Sequence, residues 1–284
     1  GRTNHSIYGQ DEWLFAPQWV LTTGVRYDHY SDFGDTVNPR LAIVWQTKPT
    51  LTSKLLYGSA FRAPAFLELY GAGNPVALGN TNLQPERLRS LELALAWRPP
   101  ANWSFDINTY GYQIHDYIDF VNDTGTSTFT AQNIGRLQGY GFETEWRYQA
   151  TPQLQWQASY SYQHTKDENT GRSAGLTPSD KFYLRTIWQA AAQWQMSTEL
   201  FHQGKTQRSG SDSRQALAAQ TTLNIAIRHQ LSHQWSVVFN AQNLFNASIY
   251  EASRGSGPAQ DKPSIQYDLP QTGRNLMLRV TKSW

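Results

Sequence analysis

The chain has 284 residues, with 24 lysines and arginines against 22 aspartates and glutamates, a balance that excludes a broad basic surface for nucleic acid. Cysteine is absent, which excludes a disulfide framework and a thiolate metal centre. No apolar run approaches the roughly 20 residues of a membrane-spanning helix, and the chain starts without a signal peptide, directly into "GRTNHSIYGQDEWLFAP", as a mature piece or a fragment of something longer would.

In chain order, period-two alternation is the dominant signal and helical periodicity of any length is missing. Residues 57–97 read as strand, long polar loop and strand, the alternation breaking at Phe61-Arg62-Ala63-Pro64 and resuming near Glu86. Trp103, Phe105 and Ile107 mark the next apolar face. Tyr140, Phe142, Trp146 and Tyr148 then alternate with Glu143, Glu145 and Arg147. Leu154, Trp156, Ala158, Tyr160 and Tyr162 alternate with Gln155, Gln157, Ser159 and Ser161. Leu223, Ile225 and Ile227 oppose Thr222, Asn224, Ala226 and Arg228, and Trp235, Val237, Phe239 and Ala241 oppose Ser236, Val238, Asn240 and Gln242. The final stretch, "NLMLRVTKSW", sets Leu276, Leu278, Val280 and terminal Trp284 on one face, interrupted by Lys282, whose long stem can snorkel to an interface. About thirteen such segments are expected, each near the ~10 residues of a tilted membrane strand.

The connections alternate as well. Short links fall at residues 16–18, 48–50, 99–102, 151–153 and 232–234; long polar links fall at about 62–86, 166–179, 205–219 and 247–272. Every second connection is therefore read as long. Antiparallel strands place successive turns at opposite ends, so all short turns lie on one side and all long loops on the other. A soluble β-sandwich would share the alternation. The sidedness favours a membrane barrel, as do the aromatic residues at strand ends (Trp19, Trp45, Trp97, Trp103, Trp188, Trp194, Trp235) and the apolar C-terminal strand ending in an aromatic residue. The expected fold is all-β, an antiparallel transmembrane β-barrel in a bacterial outer membrane, with Leu154, Trp156, Leu223, Ile225, Val237, Phe239, Leu276 and Leu278 facing lipid. Gln155, Gln157, Asn224, Asn240, Glu143 and Glu145 are expected to face the lumen.

Five segments, in order, resemble those of TonB-dependent outer-membrane receptors: "YGSAFRAPAFLELYG", "NTNLQPERLRSLELALAW", "QNIGRLQGYGFETEW", "NAQNLFNASIY" and "QTGRNLMLRV". The resemblance covers nearly the whole chain from Ile7 onward. It implies that residues 1–284 are the C-terminal part of a larger plugged barrel of about 22 strands, whose N-terminal plug and first strands lie outside this chain. It also implies active uptake of a scarce nutrient, most readily a ferric siderophore, driven by the TonB-ExbB-ExbD complex acting on that plug. Cobalamin, haem or another chelate are alternatives, and a passive porin is a further one. Outer-membrane lipid and lipopolysaccharide are the expected surroundings of a monomer, and neither cofactor nor catalysis is implied.

Individual residues divide accordingly. Phe61-Arg62-Ala63-Pro64 followed by Asn80-Thr81-Asn82-Leu83 resembles a pair of haem-receptor motifs, but no histidine lies between Ala65 and Gly79, which disfavours haem; the motif reads first as packing at a loop root. His229 and His233 flank a short turn and are read as a solvated pair rather than a metal site. Glu143 and Glu145 beside Arg147 suit a polar lumen wall better than acid–base chemistry. Gly171-Arg172-Ser173-Ala174-Gly175 matches the hydrolase elbow literally but lacks the following helix that elbow requires. For ligand contact the candidates are the loop aromatics and cations Arg62, Tyr70, Phe129, Arg208, Arg214, Tyr250, Arg254 and Tyr267, because siderophores are commonly anionic and carry aromatic or hydroxamate groups.

Overall fold

The computed structural model describes residues 1–73, 76–175, 177–208, 212, 214–253 and 267–283; Arg254 and Trp284 lie outside the described residues. The chain folds as one antiparallel meander: β1 (Asn4–Ala16), β2 (Trp19–Tyr30), β3 (Gly34–Lys48), β4 (Leu51–Arg62), β6 (Glu86–Trp97), β7 (Trp103–Asn122), β8 (Phe129–Thr151), β9 (Leu154–Asp167), β10 (Asp180–Ala191), β11 (Trp194–Gln203), β12 (Gln220–Gln230), β13 (Trp235–Gln242) and β16 (Asn275–Lys282), each hydrogen-bonded to the next. Three short strands and one helix lie within the connections: α1 (Phe66–Tyr70), β5 (Ala77–Leu78), which pairs parallel with β8, and the two-stranded ribbon of β14 (Tyr250–Glu251) with β15 (Leu269–Pro270). The sheet is open. Among the described residues β1 pairs only with β2 and β16 only with β13.

Pairing register places the two faces as alternation predicts. Trp156 lies opposite Thr186, then Thr198, Ile225, Ala241 and Leu276 in one row across six strands. Gln157, Arg185, Glu199 and Asn224 form the neighbouring row on the opposite face. Leu55 opposite Leu93 and Phe239 opposite Leu278 extend the apolar side. Ala241 is covered by its neighbours, but the large side chains Leu55, Leu93, Leu276 and Leu278 stay exposed in the protein, Leu278 at 66%. A band of that extent is untenable against water, where contiguous apolar patches seldom exceed a few hundred Å²; against acyl chains it is the side that needs no cover.

The short links gather at one end with the tryptophans. Trp19 stacks on Trp45 with centroids 4.7 Å apart, Trp97 meets Trp103 edge-on at 4.5 Å, and Trp194 stacks on His229 at 4.0 Å. The Lys282 ammonium lies 5.5 Å from the Trp235 ring centroid, so the cation that interrupts the last apolar face is held at the aromatic girdle. The opposite end carries the long links, with two departures from a strict short–long rhythm. Residues 31–33 and 123–128 are tight connections at the loop end. In the second case the strands replace the loop: β7 has 20 residues and β8 has 23, about twice what a bilayer requires, so the pair projects well beyond it.

Two glycines explain why β8 lies flush against β7. Tyr110 lies opposite Gly141 and Tyr112 opposite Gly139. A Cβ on Gly139 would overlap the Tyr112 ring, and one on Gly141 would overlap the Tyr162 carbonyl oxygen. The missing side chains leave room for the two tyrosines to stack at 6.4 Å, and the Tyr112 hydroxyl reaches Thr165 Oγ1 at 2.7 Å.

Candidate functional site

The loop end is where the sequence candidates converge, and the long 62–86 connection is a folded platform there. α1 packs Leu69 with Leu83, Ile118 and Ala131, all nearly inaccessible, with Phe120 alongside. This is a small hydrophobic core built on the projecting ends of β7 and β8, which supply Ile118 and Ala131. Backbone and side-chain bonds fasten it. Asn80 N donates to the Glu68 carbonyl (2.8 Å), Asn80 Nδ2 to the Ala131 carbonyl (3.0 Å), and the side-chain oxygen of Asn80 accepts from Asn82 N (2.9 Å). Asn133 receives Gln84 N at 2.9 Å and donates to the carbonyls of Gln84 (2.9 Å) and Asp116 (2.7 Å). The Asn80-Thr81-Asn82-Leu83 box is thus a clamp between loop and strand.

Arg62 sits at the root of this platform. Its guanidinium gives Nε and Nη2 to the two carboxylate oxygens of Glu86, both at 2.7 Å, and Nη1 to Glu68 at 3.0 Å. Glu68 also accepts Ala65 N (2.7 Å), and Glu86 accepts Ile118 N (2.9 Å). One planar fork therefore ties β4, α1, β6 and β7 together. The hydrogen bonds it donates to Glu86 hold the Arg62 guanidinium more firmly protonated than usual. Nearby, burial pushes the Asp119 carboxyl up.

A second cluster joins two further loops. Arg208 gives both Nη atoms to Asp268, each at 2.7 Å, and Nε to the Gln215 carbonyl at 2.9 Å. Arg214 gives Nη2 to Asp212 at 2.6 Å and Nη1 to Ser253 Oγ at 2.8 Å. Hydrogen bonds from Arg208 hold the Asp268 carboxyl below its usual range, and those from Arg214 do the same for Asp212. The Gln220 side chain adds bonds to Tyr250 N (2.6 Å) and the Tyr250 carbonyl (2.9 Å). Arg208, Arg214 and Tyr250, far apart in sequence, thus belong to one clasp between the segments at 205–219 and 247–272.

The remaining candidates separate. Tyr70 is half exposed and stacks with Phe66, centroids 6.2 Å apart. Tyr267 is 73% exposed beside Asp268. Phe129 corrects the sequence reading: it is no exposed loop aromatic but the first residue of β8, buried where β5 pairs beside it. The sequence reading missed Arg2. Its guanidinium bonds Asp32 (2.7 Å) and the Pro64 carbonyl (2.7 Å) and lies 4.9 Å from the Phe66 ring centroid. It also missed the carboxylates Glu68, Glu86, Asp212 and Asp268, because an acidic residue in a polar loop looks like any solvated charge until its partner is placed.

Below the loops, the wet face forms a polar wall with a recess of about 510 Å³. Lys54, Asp106, Glu143, Glu145, Lys181 and Tyr183 line it. Part of this charge is paired: Arg147 with Glu145 and Arg98 with Asp106, while Arg185 lies 3.7 Å from Glu199 and Gln157 Nε2 donates to Glu145 at 2.9 Å. Gly171–Gly175 lies in the connection after β9, and among the described residues no helix follows it before β10. Among the described residues no group of three or more metal-ligating side chains occurs.

An apolar girdled belt, a polar interior wall and folded loops at one end define an integral outer-membrane β-barrel of the receptor kind. Residues 1–244 match the family described as TonB dependent receptor-like, beta-barrel, and the chain belongs to that family. Among curated relatives, an iron-regulated outer membrane virulence protein of Vibrio cholerae is 26% identical over 270 residues, covering 87% of this chain and 41% of the relative. The vitamin B12 transporter BtuB of the same species is 32% identical over 154 residues, 53% of this chain and 23% of its own length. The ferric enterobactin receptor PfeA of Pseudomonas aeruginosa has a similar fold over the whole chain and 45% of its own, with a TM-score of 0.79 at 19% identity. The chain thus spans less than half the length of these relatives.

Proposed function

We propose that this chain is the C-terminal wall and loop platform of a receptor for TonB-driven uptake of a ferric siderophore. The carrying observation is the combination at the loop end of a rigid platform with exposed rings. Phe66 and Tyr70 form a stacked, half-exposed pair, and Tyr250 and Tyr267 lie exposed at the second loop cluster. Flat rings held by a fixed scaffold suit an aromatic iron chelate, because little side-chain entropy is lost on contact. The name of the Vibrio relative, iron-regulated, and that of the enterobactin receptor point to the same class of ligand.

On this reading the unpaired edges of β1 and β16 are continued by the preceding part of the receptor, since a sheet edge left open in a membrane is untenable. The plug within that part blocks the lumen, so passage of a large chelate requires work while binding does not. Cobalamin uptake is the second reading, favoured by the BtuB similarity. Uptake of labelled ferric siderophore by cells carrying the native gene is the test. The expected outcome is uptake that vanishes without TonB, with surface binding retained. Equal uptake in both strains would establish a porin instead. TonB-dependent uptake of cobalamin and not of iron would replace the ligand while keeping the mechanism.

A further inference from the structure

On the outward face, just beyond the apolar band at the loop end, the side chains change from oil to cation within one step of the pleat. Leu91, Gly111, Tyr140 and His164 form one register row, and Arg89, Gln113, Gln138 and Lys166 form the next row of the same face. Arg87 lies opposite His115 a further step out, and Arg136 continues β8 beyond Gln138. Arg87, Arg89, His115 and Arg136 line a cleft of about 480 Å³. Asn169 closes it, donating Nδ2 to the Ile134 carbonyl at 2.6 Å and lying where a Cβ on Gly135 would stand.

These cations differ from the arginines that fasten the loops, and they cluster in one cleft, unlike the lone lumen-face Arg40, Arg228 and Arg279. Arg62, Arg147, Arg208 and Arg214 each have a carboxylate within ion-pair reach. Among the described residues Arg87, Arg89, Arg136 and Lys166 have none within ion-pair reach, although Asp116 lines the cleft and the Glu168 amide donates to the Arg136 carbonyl at 2.9 Å. An unpaired cluster of like charge is held apart at a cost, and a bound polyanion removes that cost. The height fits one occupant. At about 3.3 Å per residue, Arg89 is roughly 7 Å and Arg87 roughly 13 Å along the strand beyond Leu91, at the level where acyl chains give way to head groups.

We propose that this cleft binds the phosphate groups of lipopolysaccharide, the phosphorylated glycolipid of the outer leaflet, whose acyl chains lie along the apolar face below. Guanidinium forks suit phosphate because two parallel N–H donors meet two oxygens. The site depends on the barrel's placement in the outer membrane and not on which nutrient the receptor carries.

The test uses the native receptor purified in detergent from outer membranes, with binding of fluorescent lipopolysaccharide as the readout. Arg87→Gln, Arg89→Gln and Arg136→Gln together should weaken binding by about tenfold or more. Arg228→Gln with Arg279→Gln, which removes cations from the lumen face, should leave it unchanged. Enzymatically dephosphorylated lipopolysaccharide should bind the unaltered protein about tenfold or more weakly than the intact glycolipid does, a comparison that holds even if the variant fails to fold. Equal binding of the dephosphorylated glycolipid, or by a folded triple variant, would overturn the proposal. So would phosphatidylglycerol binding as tightly as the glycolipid, which marks a general anionic-lipid contact, or inorganic phosphate competing at equal concentration, which marks a site for the free ion.

Discussion

Arg62 is the residue on which the loop platform turns, because a single guanidinium serves two carboxylates from different elements. Lysine keeps the charge but presents a point where the site needs a fork. Arg62→Lys is expected to loosen the platform by about 1–3 kcal/mol, less than a fully buried pair would lose because the arginine is partly exposed. Hydrogen exchange of the amides of α1 and of residues 79–83 should quicken by about tenfold or more, while the β12 and β13 amides stay protected. Unchanged exchange in the platform would mean that the hydrophobic core under α1 suffices alone. At the same scale, Gly141→Val should reduce the folded fraction in outer membranes, read by heat-modifiable electrophoretic mobility. Gly9→Val should not, since a Cβ there meets nothing within 4 Å. These residues were legible unequally. The Arg62 motif read as a loop-root element and proved to be one, whereas Phe129 read as a ligand contact and is buried. An aromatic residue at the border of loop and strand has the same local sequence signature in either role, and only the approach of β5 covers this one.

Between elements, the clasp of Arg208, Arg214, Asp212 and Asp268 makes the two loops one body. Both carboxyls titrate below their ordinary range, each because an arginine donates to the charged form. Stability from a depressed carboxyl is fully present above its unfolded value and is lost as pH falls through the folded one. The two segments are therefore expected to stay joined at neutral and mildly acid pH and to separate only below the ordinary carboxylate range. A fluorescence distance reporter between residues 215 and 252 would register the separation. Asp268→Asn should leave the reporter in the separated state at neutral pH. A distance that is unaffected by this substitution would show that the Gln220–Tyr250 bonds hold the loops without the ion pairs. The two short connections at the loop end belong to this scale too. Long β7 and β8 carry the chain outward as strand, where the rhythm of links suggested that loops would.

For the whole molecule, the two faces of the sheet have opposite solvents. Spin labels at cysteines introduced along β13 should alternate: Val237 and Phe239 accessible to oxygen dissolved in lipid, Val238 and Asn240 accessible to an aqueous relaxant. The chain has no cysteine of its own to interfere. Leu278→Arg should cost about 2–4 kcal/mol near the bilayer centre, whereas Met277→Arg, one residue along on the lumen side, should cost far less. Equal costs would place both faces in the same solvent and end the membrane reading.

The all-β class, the thirteen-strand meander, the two faces and the sidedness of the links followed from the sequence alone. Period-two alternation reports which side of a strand each residue takes, and hydrogen-bonded neighbours in chain order leave little choice of partner. The folded character of the 62–86 loop, the Arg208–Asp268 clasp, the burial of Phe129 and the unpaired basic cleft needed the tertiary structure. Each depends on contacts between residues 24 to 60 positions apart or on rows running across three or four strands. Local sequence carries no signal for such meetings, because charge pairing and burial are decided by which segments the completed sheet brings to one end.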